Sequence, residues 1–123
     1  MSYQAYQTAS SRTEDPRATE YRLMGFVTRE LMAVRECGAS DIRKKAKALD
    51  RNRRVWSAFA ADCASSGNAL PETLRASIIS LSIFVSKETS AAMRGETDLD
   101  TLIDINRTIM QGLAPAAETA AAS

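Results

Sequence analysis

Apolar residues in this 123-residue chain recur every three or four positions in four long blocks, and glycines close three of them. Gly38, Gly67 and Gly95 each follow a periodic stretch, where a helix commonly ends in a left-handed residue. Start signals sit opposite them. Asp15-Pro16 offers an N-cap and a proline for the first turn, and Leu70-Pro71-Glu72 again sets a proline beside an acid. Ser40 can cap the segment after Gly38, and Thr97 with Asp100 resembles a capping box in which Asp replaces Glu. No stretch shows the two-residue alternation of a half-buried strand. The expected fold is all-α, a small helical bundle of four main helices over Pro16–Cys37, Ser40–Ser66, Pro71–Arg94 and Asp98–Leu113. A short N-terminal helix over Ser2–Ala9, with Tyr3 and Tyr6 one turn apart, would precede them. Residues 1–113 then make one domain, and the alanine-rich tail 114–123, which contains Pro115, is expected to be disordered.

Helical periodicity assigns the faces. Met24, Val27, Leu31 and Val34 make the seam of the first long helix, widened by Leu23. In the second, Ile42, Ala46, Leu49, Trp56, Ala60 and Cys63 point inward, with Val55 and Phe59 broadening the far half. Arg53 extends that seam, its stem packed and its head in water or paired with an acid such as Asp104. The fourth carries Leu99, Leu102, Ile103, Ile109, Met110 and Leu113, with Asn106 in the middle of the stripe. A buried amide must find partners or cost a few kcal/mol, so Asn106 fixes register or meets a partner's backbone. The third helix is apolar on two faces: Leu70, Leu74, Ile78, Leu81 and Val85 form one seam, while Ile79 and Ile83 lie nearly opposite. Such a helix is either central to the bundle, the commoner outcome, or carries a binding patch.

Composition narrows the chemistry. The chain has no histidine, which removes the commonest general base and every Ser-His or Cys-His pair. The five glycines make no phosphate-binding loop, and Cys37 and Cys63 form no C-x-x-C motif. Asp98, Asp100 and Asp104 cluster, but the first two sit where acids offset a helix dipole, and Asp104 can pair with Arg107. The expectation is a binding protein with no catalytic residue, cofactor or metal. Two isolated cysteines read as buried thiols in a reducing compartment. With neither a secretory leader nor an apolar run of spanning length, the place is the cytoplasm.

With a net charge of +1 the whole molecule offers no broad field, so affinity for a charged partner needs a local patch. The run from Arg43 to Arg54 is that patch. Arg43, Lys47, Arg51 and Arg54 recur at helical spacing opposite the apolar seam, and such a stripe could bind RNA phosphates. Exposed bundle faces are charged in any case, and no aromatic residues interleave with these cations as single-strand stacking would want.

Several segments, taken together, resemble the FlaF family of flagellar biosynthesis regulators. They are Ser2-Tyr3-Gln4-Ala5-Tyr6, Thr19-Glu20-Tyr21-Arg22-Leu23, Leu49-Asp50-Arg51-Asn52-Arg53-Arg54-Val55-Trp56, Leu70-Pro71 with Leu74-Arg75, and Ile78-Ile79-Ser80-Leu81. Thr89-Ser90-Ala91-Ala92-Met93-Arg94-Gly95 and Leu102-Ile103-Asp104-Ile105-Asn106-Arg107-Thr108-Ile109-Met110 complete the set, in the order of one whole-chain domain. The resemblance implies a bacterial cytoplasmic protein needed for flagellin production and filament assembly, which works with flagellin and opposes the translational repressor FlbT. It further implies a chaperone-like grip on flagellin's amphipathic terminal helices before export. The candidate partner-binding surfaces are Ile79, Ile83 and Met93 on the third helix, and the family-like polar residues Asn52, Arg53, Arg54, Asn106 and Arg107. Arginine is common at interface hot spots, whereas Trp56 reads as core. The alternative is an RNA-binding regulator acting on flagellin messenger RNA through Arg43, Lys47, Arg51 and Arg54.

Overall fold

The structure, a computed structural model, describes residues 16–37 and 41–113. The expected Ser2–Ala9 helix, the tail from Ala114 and the expected stop and cap at Gly38 and Ser40 lie outside the described residues. Four helices follow one another, α1 (Pro16–Cys37), α2 (Ile42–Cys63), α3 (Glu72–Met93) and α4 (Asp100–Leu113), and the described residues contain no strand. The all-α bundle read from the periodicity is the fold.

The ends are set by local chemistry. α2 is capped by the Asp41 carboxylate, which accepts from the Lys44 amide at 3.0 Å, so Asp41 performs the role expected of Ser40. α3 starts one residue past Pro71, which serves as N-cap with no side-chain bond. It ends in a Schellman motif: Gly95 has φ +76, its amide donates to the Ala92 carbonyl, and the Glu96 amide donates to that of Ala91. Gly67 plays no such part. α2 stops at Cys63, and Ala64 caps it in the right-handed region. At α4, Asp98 accepts from the Asp100 amide at 3.0 Å, so the helix begins two residues later than the capping-box reading placed it.

Side-chain pairs give the directions. Arg35 meets Asp100 at 2.8 Å and Thr28 approaches Met110, so α4 runs against α1. Arg51 meets Glu30 at 2.6 Å, and Asp62 acts on Glu20, so α2 also runs against α1. A Cβ on Gly112 would lie 3.3 Å from Leu74, while Leu81 lines a furrow with Ile105, so α3 runs against α4. The bundle is therefore up-down-up-down, with helices in the ring order α1–α2–α3–α4 and α2 diagonal to α4 across the core.

That core holds Met24, Leu31, Val34, Ala48, Leu49, Trp56, Phe59, Cys63, Ile78, Val85, Leu99, Leu102, Ile103, Ile109 and Leu113. The seams of α1 and α4 are those expected, except that Leu23 turns outward and Met110 is only half-buried. α2 is rotated from the expectation. Ile42 is 77% exposed and Ala46 faces solvent, while Ala48, Leu49, Asn52, Trp56, Phe59 and Cys63 form the inward stripe. Arg53 lies outside it, bonded to Asp50 at 2.6 Å and not to Asp104. Cys63 is buried as expected, but Cys37 is exposed.

Candidate functional site

Two places depart from a plain apolar bundle. The first is the outer face of α3. Ile78, Val85, Thr89 and Ala92 are buried, and the Thr89 hydroxyl is satisfied within its own helix by donating to the Val85 carbonyl at 2.6 Å. On the side turned away from that stripe the helix remains apolar: Ile83 is 60% exposed with half-buried Ile79 one turn before it, and exposed Phe84 lies about 100° round from Ile83, towards half-buried Leu81. Beside Leu81, a shallow furrow of about 260 Å³ opens between α3 and α4, lined by Thr101, Asp104, Ile105 and Thr108. Ile79 and Ile83 come together as the spacing required, one turn apart. Met93 is exposed at the far end of the same helix, about 15 Å from Ile83 at 1.5 Å of rise per residue.

Phe84 belongs to this face and was not singled out in the sequence. The signal was present, since an apolar residue next to Ile83 on a helix already apolar on two sides has nowhere inward to go. The face of α3 is thus wider than the Ile79–Ile83 pair alone.

The second place is a polar cluster at the centre. The Trp56 indole donates to Asn106 Oδ1 at 2.8 Å. The Asn106 amide donates to Asn52 Oδ1 at 2.7 Å and to the Thr28 hydroxyl oxygen at 3.0 Å, and Thr28 donates onward to the Met24 carbonyl at 2.6 Å. Three helices are tied at one level by groups that are almost fully buried. Asn52 Nδ2 is the exception, buried with no partner among the described residues.

This corrects the second candidate surface. Asn52 and Asn106 are completely enclosed and cannot touch a partner. Their register role follows from chemistry: a slip of α4 by one turn would withdraw Asn106 and strand the Trp56 N–H in an apolar core. Arg53 and Arg54 do reach the surface, but both grip Asp50, at 2.6 and 2.9 Å, and hold its carboxyl below the usual carboxylate range. Arg107 lies across the core from them on α4, its guanidinium 3.5 Å from the Met32 sulfur and not on Asp104. The five residues therefore do not form one site.

The basic stripe is likewise reduced. Arg43 and Lys47 are exposed, whereas Arg51 is paired with Glu30 and Arg54 with Asp50. Among the described residues, no three Cys, Asp or Glu side chains come together as a metal cage. Asp98 caps α4 and Asp100 pairs with Arg35. No described helix is long and apolar enough to cross a membrane.

One further group is electrostatically unusual. Glu20, two turns before Val27, is mostly removed from water beside Asp62 near the end of α2. Burial first, and then the Asp62 charge, push its carboxyl up to about 7. The neighbouring Cys63 thiol is pushed up to about 11 by burial, Asp62 and Glu20, which keeps it a neutral thiol.

No curated protein and no solved structure matches this chain. A family does: residues 2–113 match the model described as flagellar protein FlaF, a span that takes in all four helices and both of the places above. The chain belongs to the FlaF family of flagellar proteins.

Proposed function

We propose that this protein binds flagellin in the cytoplasm as a chaperone-like partner and so promotes flagellin production and export, counter to the repressor FlbT. Family membership supports the flagellar setting. The observation that carries the binding role is the outer face of α3, where Ile83 is 60% exposed beside exposed Phe84. A helix that has already filled its share of the core gains nothing for folding from two more large apolar residues in water. Ile79 and Ile83 one turn apart, with Phe84 on the flank towards the furrow beside Leu81, suit an amphipathic helix laid alongside. Flagellin's terminal segments, amphipathic and without their filament partners before export, are occupants of that kind. Covering them would hold back premature polymerisation.

The test is a titration of the purified protein with flagellin, repeated with flagellin messenger RNA at two salt concentrations. Flagellin should bind saturably and tolerate salt, and Ile83→Asp should weaken binding at least about tenfold without moving the melting temperature by more than a few degrees. Undiminished binding by an Ile83→Asp, Phe84→Asp double variant would sink the α3 assignment. Salt-sensitive RNA binding alone would transfer the function to the Arg43–Arg54 run.

A further inference from the structure

The seam between α3 and α4 is the loosest of the four in the ring. At one end the two helices close, since a Cβ added to Gly112 would stand 3.3 Å from Leu74. Beyond that point they part and leave the furrow of about 260 Å³ whose apolar lining is Leu81 and Ile105. Phe84 follows Leu81 by three residues on the same flank of α3 and is 44% exposed, so it extends the apolar strip outward. A groove with apolar walls between two helices is a place where a further helix packs.

The polar atoms decide which helix. Asp104 stands in the lining, and half-buried Glu88 follows Leu81 by seven residues, about 20° round the helix. Neither carboxylate has an ion pair among the described residues. The Thr108 hydroxyl donates to the Asp104 carbonyl at 2.9 Å, so to the furrow it offers an oxygen lone pair. The cations of these two helices are Arg75, Lys87 and Arg107, and none of them lines the furrow. Arg75 donates to the Cys63 and Ser65 carbonyls at the end of α2. Arg107 reaches the Met32 sulfur on α1. Lys87 lies about 120° round α3 from Leu81, on the outward side. The furrow is therefore acidic and rich in acceptors. A glutamate arriving there meets like charge, whereas a lysine or arginine finds a carboxylate without a partner.

We propose that the α3–α4 furrow seats a basic amphipathic helix of a partner protein, its apolar edge on Leu81, Phe84 and Ile105 and a lysine or arginine on Asp104. This deepens the flagellin reading and rests on it for the partner's identity, naming the charge by which a flagellin terminal helix is chosen. The acidic rim also turns away acidic helices that would match the apolar strip equally well.

The probe is a fluorescein-labelled synthetic helix of about 18 residues with Leu at i, i+3 and i+7 and Arg on its flanks, beside a twin with Glu for Arg. Both are titrated into the full chain by fluorescence anisotropy, and flagellin is titrated in parallel. The basic helix should bind at least about tenfold more tightly than its twin, with the ratio shrinking at high salt. Asp104→Lys should erase or reverse that preference and weaken flagellin binding about tenfold, and Phe84→Ser should weaken the basic helix about tenfold. Both variants should keep an unchanged circular-dichroism melt, because both side chains are exposed. Equal binding of the two helices, binding of neither, a preference that survives Asp104→Lys, or flagellin binding indifferent to Asp104→Lys would overturn the proposal. Flagellin captured in any of those cases would leave the flagellin reading standing. If the preference holds and depends on Asp104 while flagellin fails to bind the unaltered protein, the furrow stands and the flagellin reading falls.

Discussion

At the middle of the bundle, Asn106, Asn52, Thr28 and Trp56 meet as neutral groups joined by hydrogen bonds of 2.7, 2.8 and 3.0 Å. Near the first turns of α1 and the last of α2, Glu20 and Asp62 meet as two acids beside a buried thiol. Both clusters remove polar atoms from water, but only the first gives most of them partners. In the central cluster every donor but Asn52 Nδ2 faces an acceptor, so most of the cost of desolvation is offset and the geometry becomes specific. At the acidic end like charges face each other, and the cost is met by holding a proton. One cluster therefore fixes structure, whereas the other makes stability depend on pH.

The largest effect should come from breaking the central cluster at its bulkiest member. Trp56→Ala removes a fully buried ring and should cost about 3–5 kcal/mol, read as a fall in denaturation midpoint. If a folded Trp56→Ala protein kept its stability and lost only flagellin binding, the residue would belong to an interface and not the core. Asn106→Ala should cost about 2–3 kcal/mol, since it leaves the Trp56 indole and the Asn52 carbonyl buried without partners.

The acidic end should respond less, and only over part of the pH range. The Glu20 carboxyl titrates at about 7 in the folded protein against 4.5 for its ordinary value, so the folded state holds a proton that the unfolded state releases. Its contribution is complete below about pH 4.5 and is lost as pH rises through about 7. Glu20→Gln should therefore stabilise the protein by roughly 1–2 kcal/mol at pH 8, after allowing for solvent screening, and by almost nothing at pH 4. Melting curves at the two pH values would measure it; equal gains at both would show that packing and not charge is responsible. Smallest of all, Ile83→Ser should change stability by less than about 0.5 kcal/mol, because the side chain already faces water.

How much of this was legible in the sequence depends on whether the determining contact is local. The stripes of α1 and α4 follow from spacing alone, because each has one apolar edge and one polar edge. α2 does not read this way. Ile42 and Ala46 continue an apolar line with Leu49, yet the helix lies between α1 and α3 and buries a broad arc that includes Asn52. A polar residue inside that arc looks like a boundary until its partner is known, and the partner of Asn52 is Asn106, 54 positions on. Arg53 entered the expected seam for the same reason, since a long stem beside Leu49 and Trp56 mimics an apolar position. The α3 face was half legible: Ile79 and Ile83 stood out against a complete seam, whereas Phe84 and the furrow need α4 in place. The polar candidates failed as a surface because unusual residues at a family-like position are conspicuous whether they face a partner or the core.

The hydrogen bond between Trp56 and Asn106 spans 50 positions and also has a meaning in time. A ribosome adding ~5–20 residues per second needs about 3–10 s to pass from one to the other. During that interval α1, α2 and α3 can emerge and collapse, but the Trp56 indole and the Asn52 amide lack their closing partner, Asn106. Only when α4 leaves the exit tunnel does the nascent chain acquire its last lock. Its fourth helix thus acts as a signature at the end of translation: a product truncated before α4 leaves the Trp56 indole and the Asn52 carbonyl without the group that satisfies them.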